Sequence, residues 1–168
     1  DMELIKKFEL KSISYSYKNI DVIKSQDFSV KKNEKIAIVG QSGSGKSTLL
    51  DIVSGFIEIN SGTYLLDNKS VSFNTYANFV MQNTALVSQT TFFYDDTLRN
   101  NIVLTDNLGS SFDDSKIKTL LIEFGLETFV DNLDQNLGQN SINLSGGERQ
   151  RLAIIRALAA GKEILILD

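Results

Sequence analysis

The sequence predicts an α/β fold with a mostly parallel core sheet and an N-terminal antiparallel β subdomain. Two continuous apolar runs, residues 35–39 and 163–167, are typical of strands that are buried on both faces of a parallel sheet. Residues 8–17 instead alternate apolar and polar side chains, which is the pattern of a strand with one solvated face. Helical patterns separate the later strands, and this alternation favours the α/β class.

The other elements follow from the same patterns. Lys18 and Asn19 predict a turn after the first strand, and a helix is predicted to start at Lys46. Further strands are predicted at residues 26–30, 63–66 and 84–87. Further helices are predicted at residues 98–104, 115–124, 126–133 and 146–160.

Composition excludes several classes of function. The chain has 168 residues and a net charge of -4, with no Cys and no His. These absences exclude disulfides, cysteine-ligated zinc, thiol catalysis and any histidine base or ligand. The acidic balance does not suggest a nucleic-acid-binding surface, so we expect no nucleic-acid partner. The apolar runs are far shorter than the roughly 20 residues that a membrane-spanning helix needs. One domain of ordinary size is therefore expected over residues 1–168.

A glycine-rich segment between the first apolar run and the following helix matches the pattern G-x-x-x-x-G-K-[ST]. We call this segment the phosphate loop, and its residues are Gly40, Gln41, Ser42, Gly43, Ser44, Gly45, Lys46, Ser47 and Thr48. Glycines let the backbone turn its N–H groups toward a phosphate, and the next helix adds the positive end of its dipole. We expect Lys46 to reach the β- and γ-phosphates and the Ser47 hydroxyl to coordinate Mg²⁺.

A second motif lies upstream of the second apolar run. Its residues are Leu144, Ser145, Gly146, Gly147 and Glu148, followed by R-Q-R-L-A. Ser145 and the two glycine amides open a predicted helix and thus form a second anion site. The sequence resembles ATP-binding cassette (ABC) ATPases, in which a phosphate loop comes first, then this motif, known as the signature motif, and then a Walker B strand. The run I-L-I-L-D at residues 164–168 looks like that Walker B strand. In that family the signature motif of one subunit closes on the γ-phosphate held by the phosphate loop of the other.

The resemblance implies roles for further residues. Gln89 resembles the Q-loop glutamine, which contacts Mg²⁺ or the attacking water, and Asp168 resembles the Walker B aspartate that holds Mg²⁺. Tyr17 resembles the aromatic residue that stacks on adenine, and Tyr15 is the alternative. The implied cofactors are ATP and Mg²⁺. The implied catalytic residues are Lys46 and Gln89, and the implied metal ligands are Ser47, Gln89 and Asp168.

The resemblance also implies partners and a location. Residues 88–102 are similar to the segment that follows the Q-loop in exporters. Residues 90–145 correspond to the helical subdomain of the family. An exporter domain of this kind dimerises head to tail with a second nucleotide-binding domain when ATP binds. It drives a transmembrane domain from the cytoplasmic face of the cell membrane. The alternatives are a non-transport ABC ATPase that acts on DNA or ribosomes and a nucleotide-sensing module without turnover.

Two further segments bear on the exporter assignment. Phe92, Phe93 and Tyr94 are expected to form a partly exposed apolar patch, in the region where exporters dock their membrane domain. Residues 138–143 look like the segment before exporter signatures. They carry Gln139 and Ser141, where exporters commonly carry Glu and Gly.

Two catalytic roles of the family fall on no residue of this sequence. The catalytic glutamate follows the Walker B aspartate, and the switch histidine lies further on. The chain stops at Asp168, at the tip of a predicted strand, so we expect a longer parent protein. We therefore expect ATP hydrolysis by that parent, and very slow or absent hydrolysis by the 168 residues alone.

Overall fold

The computed structural model describes residues 5–104, 113–137 and 144–168. The chain divides into two compact units, with the boundary between Asn83 and Thr84. None of the helices in these ranges is both long enough and apolar enough to cross a membrane.

The first unit consists of β1 (Lys7–Tyr17), β2 (Ile20–Lys31), α1 (Lys46–Val53), β3 (Ser61–Leu66), β4 (Lys69–Val71) and α2 (Phe73–Asn83). Its four strands form one antiparallel sheet with the strand order β2-β1-β3-β4. Lys18 and Asn19 join β1 to β2 with φ values of 46° and 65°. Positive φ at both central residues is the geometry of a tight two-residue hairpin. The predicted turn and the predicted antiparallel N-terminal subdomain are confirmed.

Aromatic side chains dominate the core of the first unit. Tyr76 on α2 is fully buried, and its ring lies 4.7 Å from that of Tyr64 and 6.2 Å from that of Phe8. The Tyr76 hydroxyl donates to the carbonyl oxygen of Val53 at 2.9 Å, which joins α2 to the end of α1. Burial raises the pKa of Tyr76, so the phenol stays protonated and keeps this hydrogen bond.

The second unit combines one parallel strand pair with a group of helices. Its elements are β5 (Thr84–Val87), α3 (Leu98–Ile102), α4 (Asp114–Glu123), a 3₁₀ turn (Glu127–Phe129), α5 (Gly146–Ala159) and β6 (Ile164–Leu167). β5 and β6 pair in parallel, with Val87 opposite Leu167. The apolar core between the helices consists of Phe93, Leu98, Ile102, Ile117, Leu121, Leu126, Leu133, Leu137, Leu144, Leu152 and Ile155.

The predicted strand at residues 35–39 is absent, which corrects the mostly parallel core sheet. This segment forms no strand, and Ile36 and Val39 are 44% and 87% exposed. A β-branched run becomes a strand only where a neighbouring strand supplies hydrogen bonds along it. The strands found in the described ranges pair instead into the antiparallel sheet and the β5–β6 pair. The parallel part of the described fold is thus two strands.

The predicted helix at residues 126–133 is also wrong. Only a 3₁₀ turn forms there, because each N–H bonds three residues back: Phe129 to Leu126, Val130 to Glu127 and Asn132 to Phe129. Apolar spacing suggested a helix, whereas Asp131 and Asn132 favour turns that compete with helical hydrogen bonds.

Candidate functional site

The phosphate loop forms a glycine-dependent turn in front of α1. Gly43 and Gly45 have φ values of 78° and 91°, in the left-handed region that favours glycine. Ser44 N–H donates to Gln41 O at 3.2 Å, and a Cβ built on Gly40 would lie only 2.8 Å from Ser44 Oγ. The loop therefore needs glycine both for its backbone conformation and for its close contacts.

The N-terminus of α1 has Gly45 as its N-cap residue, and no side chain caps this helix. The first N–H groups of a helix have no partners within the helix, and the helix dipole makes this end positive. Most of the loop side chains are exposed. Unpaired donors beside an accessible loop have the chemistry of an anion site.

Lys46 folds back across the phosphate loop. Its Nζ donates to Gly40 O at 2.9 Å and to Gln41 O at 2.7 Å. The positive charge thus lies over the turn, where it adds to the positive end of α1. The two bonds also leave one of the three ammonium donors for another acceptor.

The β1–β2 hairpin lies beside this loop. A Cβ on Gly45 would lie 3.1 Å from Val22 Cγ1 and 3.3 Å from Val22 O. Tyr17 ends β1 next to the hairpin turn and is 57% exposed, with Lys18 Nζ 5.4 Å from its ring centroid. Tyr15 is half-buried. Of the two predicted alternatives, Tyr17 thus has the more accessible ring.

The signature residues form a capping box at the start of α5. Ser145 is the N-cap, and its Oγ accepts from Glu148 N–H at 3.3 Å. Glu148 Oε2 in turn accepts from Ser145 N–H and from Ser145 Oγ, both at 2.7 Å. Gly146 and Gly147 are exposed, and Leu144 is buried in the core of the second unit. The described part of the predicted motif is one locally ordered turn.

This capping box predicts a pH-dependent loss of stability. Hydrogen bonds from the Ser145 side chain and backbone lower the pKa of Glu148 below its ordinary value of 4.5. A lowered carboxyl pKa stabilises the fold above that ordinary value, and this contribution is lost as the pH falls through the folded pKa. We expect Ser145→Ala to lower the free energy of unfolding by about 1 kcal/mol at neutral pH, and by less at pH 3.

Urea unfolding at both pH values measures this difference. Ser29→Ala is the matched control, because Ser29 is an exposed residue of β2 and its change is expected to cost less than about 0.5 kcal/mol. An equal loss at the two pH values would show that the Glu148 charge contributes nothing to the cap.

Gln89 and Asp168 lie at the same edge of the parallel pair. Gln89 follows β5 by two residues and is exposed. Asp168 directly follows β6, and its N–H donates to Val87 O at 2.9 Å. The parallel pairing thus places these two residues, which are distant in sequence, at one end of the same strand pair. No cluster of three acidic side chains suited to a metal ion occurs in the described ranges.

The aromatic segment after Gln89 is split between core and surface. Phe92 and Tyr94 are 60% and 53% exposed and form an edge-to-face pair with ring centroids 5.3 Å apart. We call these two residues the aromatic pair. Phe93 is 2% exposed and belongs to the core, so the expectation of three partly exposed rings is wrong for Phe93. Phe93 packs among the helices of this core, and Arg156 Cζ lies 4.3 Å from its ring centroid.

A groove of about 230 Å³ adjoins the aromatic pair. Leu86, Leu104 and Arg156 also line it, and the two leucines are 41% and 49% exposed. Arg156 is half-buried within α5, and burial lowers the pKa of its guanidinium. Ser88, Thr90 and Thr91 line the groove as well, so its wall is both polar and apolar and contains one cation.

Sequence reasoning missed the pair of residues that holds this surface in place. Arg156 Nε donates to Asn101 O at 2.7 Å, and Arg156 Nη1 donates to Phe92 O at 2.8 Å. Asn101 is fully buried. Its side-chain Oδ1 accepts a hydrogen bond from Tyr94 N–H, and its Nδ2 donates one to Tyr94 O. The sequence did contain one indication of this role. Arg156 lies four residues after Leu152, so it is on the apolar face of α5, where an arginine needs acceptors from the protein. The segment at residues 138–143, similar to that before exporter signatures, lies outside the described residues.

Known proteins resemble this chain over almost its whole length. Residues 23–168 match the family described as "ABC transporter". The ATP-dependent lipid A-core flippases of Pasteurella multocida and Haemophilus influenzae are 35% and 37% identical to it, over 94% and 95% of this chain. The chain spans only 28% of the length of each of these two relatives.

A solved structure has the same fold. The structure of a bacterial Atm1-family ABC exporter with ATP bound matches 98% of this chain and 29% of its own chain, with a TM-score of 0.79 and 24% identity. This likeness concerns the fold alone. The family match over well more than half of the sequence leads to one assignment. The chain belongs to the ABC transporter family and is a nucleotide-binding domain.

Proposed function

We propose that the phosphate loop binds ATP together with Mg²⁺ and that the domain, residues 1–168, drives a membrane exporter. The observation that carries this proposal is the combination of the uncapped α1 N-terminus with Lys46 held across the loop. Both features concentrate positive potential where a triphosphate has its charge. The flippase names of two relatives support the transport part.

Mg²⁺ fits the residues as a cation that arrives with the nucleotide. Mg²⁺ is usually held by one or two protein groups together with phosphates and water, and less often by an all-protein cage. Ser47, Gln89 and Asp168 offer a hydroxyl, an amide and a carboxylate oxygen, and oxygen atoms are the ligands that Mg²⁺ takes. We assign Ser47, Gln89 and Asp168 as its protein ligands. When bound, the cation would neutralise charge on the β- and γ-phosphates.

The proposed partners follow from two surfaces of the second unit. We assign the signature turn, Leu144 to Glu148, to the nucleotide held by a second copy of the domain in a head-to-tail dimer. Residues 90–145 serve as the helical subdomain. The aromatic pair is an exposed apolar patch beside the groove, and exposed apolar patches mark partner sites. We assign this surface to the transmembrane domain, which places the chain at the cytoplasmic face of the membrane.

Titration with a fluorescent ATP analogue and Mg²⁺ tests the nucleotide part of this proposal. We expect saturable binding that unlabelled ATP displaces. Phosphate release by the same 168 residues is expected to be slow, because the Gln89 amide cannot accept a proton and Glu148 is engaged by Ser145. Binding that ATP fails to displace would contradict the site. Rapid phosphate release, rising with protein concentration, would contradict the expected lack of a base.

A further inference from the structure

The carboxylate of Glu148 occupies the N-terminus of α5. Its Oε2 accepts two hydrogen bonds of 2.7 Å from Ser145, one from the backbone N–H and one from the hydroxyl. These bonds lower the pKa of the Glu148 carboxyl group, which is ionised at neutral pH. A negative group with these partners has the charge and the hydrogen bonds of an anion bound at a helix N-terminus.

The contact with Glu148 uses the single proton of the Ser145 hydroxyl. A serine hydroxyl has one hydrogen to donate, and here Glu148 Oε2 takes it. A phosphate that approached the signature turn would need the same proton and would also meet the Glu148 charge. An anion from another molecule therefore competes with Glu148.

Arg151 offers Glu148 a second partner on the same face of α5. Its Nη1 lies 3.3 Å from the position of a Cβ on Gly147, so the guanidinium covers the first turn of the helix. Its Nε is buried and has no acceptor among the described residues. Residues three apart on a helix are neighbours, so the Arg151 guanidinium lies on the same face of α5 as the Glu148 carboxylate.

We propose that Glu148 is an internal competitor that sets the nucleotide concentration at which two domains close. In the free domain it holds the Ser145 hydroxyl. When the phosphate held by a second copy reaches the signature turn, Glu148 releases Ser145 and pairs with Arg151. This inference rests on the proposed function, because it needs the signature turn to meet a phosphate.

Glu148→Gln separates charge from capping. A glutamine oxygen still accepts from Ser145 N–H, so the capping box remains, while the negative charge is lost. One charge a few ångströms from a phosphate in water corresponds to about a fivefold change in an equilibrium constant. We expect ATP and Mg²⁺ to dimerise the variant at an about fivefold lower ATP concentration, measured by sedimentation velocity. The difference should shrink at high salt, because the interaction is exposed.

Two further variants make the result specific. Glu123→Gln is the matched control, because Glu123 is an exposed residue of α4 and its loss changes the net charge equally. Ser145→Ala should abolish nucleotide-dependent dimerisation, because it removes the hydroxyl for which Glu148 and the phosphate compete.

Each outcome decides one of the two proposals. The competitor role of Glu148 is supported if Glu148→Gln dimerises at a lower ATP concentration than wild type while Glu123→Gln does not. It is also supported if Glu148→Gln is the one variant that forms a dimer. Identical behaviour of Glu148→Gln and wild type, including an equal absence of dimer, overturns it while ATP binding to the phosphate loop stands. Absence of ATP binding by the wild-type chain would instead overturn the proposed function.

Discussion

Replacing Lys46 with alanine is expected to remove most nucleotide binding. The Nζ of Lys46 lies across the phosphate loop and keeps a free donor for a phosphate oxygen. Hydrogen bonds that involve charged groups contribute about 1.5–3 kcal/mol, so the affinity for ATP should fall by about 10- to 100-fold. Isothermal titration calorimetry with ATP and Mg²⁺ measures the change.

Lys32→Ala is the matched control for this experiment. Lys32 is exposed in the turn after β2, and its loss changes the net charge by the same amount. We expect its ATP affinity to stay within about twofold of wild type. Thermal unfolding of both variants checks that the loop carbonyls released in Lys46→Ala do not unfold the first unit. Equal affinities in Lys46→Ala and wild type would disprove the site.

The same titration tests the adenine platform. Stacking of one base on an aromatic ring contributes about 1–3 kcal/mol, so Tyr17→Ala should weaken ATP binding by about fivefold or more. Binding of inorganic triphosphate, which has no base, should not change. A selective loss of ATP binding in Tyr15→Ala would move the platform to Tyr15.

Replacing Asn101 with alanine is expected to cause the largest loss of stability. The Asn101 side chain is fully buried and accepts from Tyr94 N–H at 2.8 Å. Its amide donates to Tyr94 O and Thr97 O, each at 3.0 Å. Alanine would leave the Tyr94 N–H without a partner, at a cost of about 1–3 kcal/mol. Tyr94 O and Thr97 O would each lose one of two hydrogen bonds, at about 0.5–1.5 kcal/mol each, because both oxygens also accept from a backbone N–H. We expect the free energy of unfolding in urea to fall by about 3 kcal/mol.

Asn100→Ala is the matched control for Asn101→Ala. Asn100 is the adjacent exposed residue, and its amide donates to the Asp96 carboxylate at 2.9 Å. Its loss is expected to cost less than about 0.5 kcal/mol. If Asn101→Ala cost no more than Asn100→Ala, the buried amide would not hold the aromatic segment in place.

Features that depend on neighbouring residues could be predicted from the sequence. The turn at Lys18 and Asn19, the helix start at Lys46 and the cap at Ser145 all involve residues a few positions apart. Glycine conformations and side-chain capping operate at that range. The family resemblance rests on the same local motifs, and the family match confirmed it.

Helix α2 and strand β4 were not predicted at all. Phe73–Asn83 mixes asparagines with aromatic and small residues, which gives a weak helical pattern in the sequence. Burial of Tyr76 and Val80 in the core of the first unit stabilises this helix. β4 has only three residues and pairs with β3 across the turn at Asp67 and Asn68. Its stability comes from pairing and not from its own composition.

The sequence by itself determined the motifs, the order of most elements and the family. Tertiary structure alone decided three outcomes: the lack of a strand at residues 35–39, the burial of Phe93 between two exposed rings, and the contact of Arg156 with Asn101. Each depends on groups far apart along the chain, 55 positions in the case of Arg156 and Asn101. Strand pairing, burial and buried hydrogen bonds are set by the neighbours that the fold supplies, and local pattern carries no information about those neighbours.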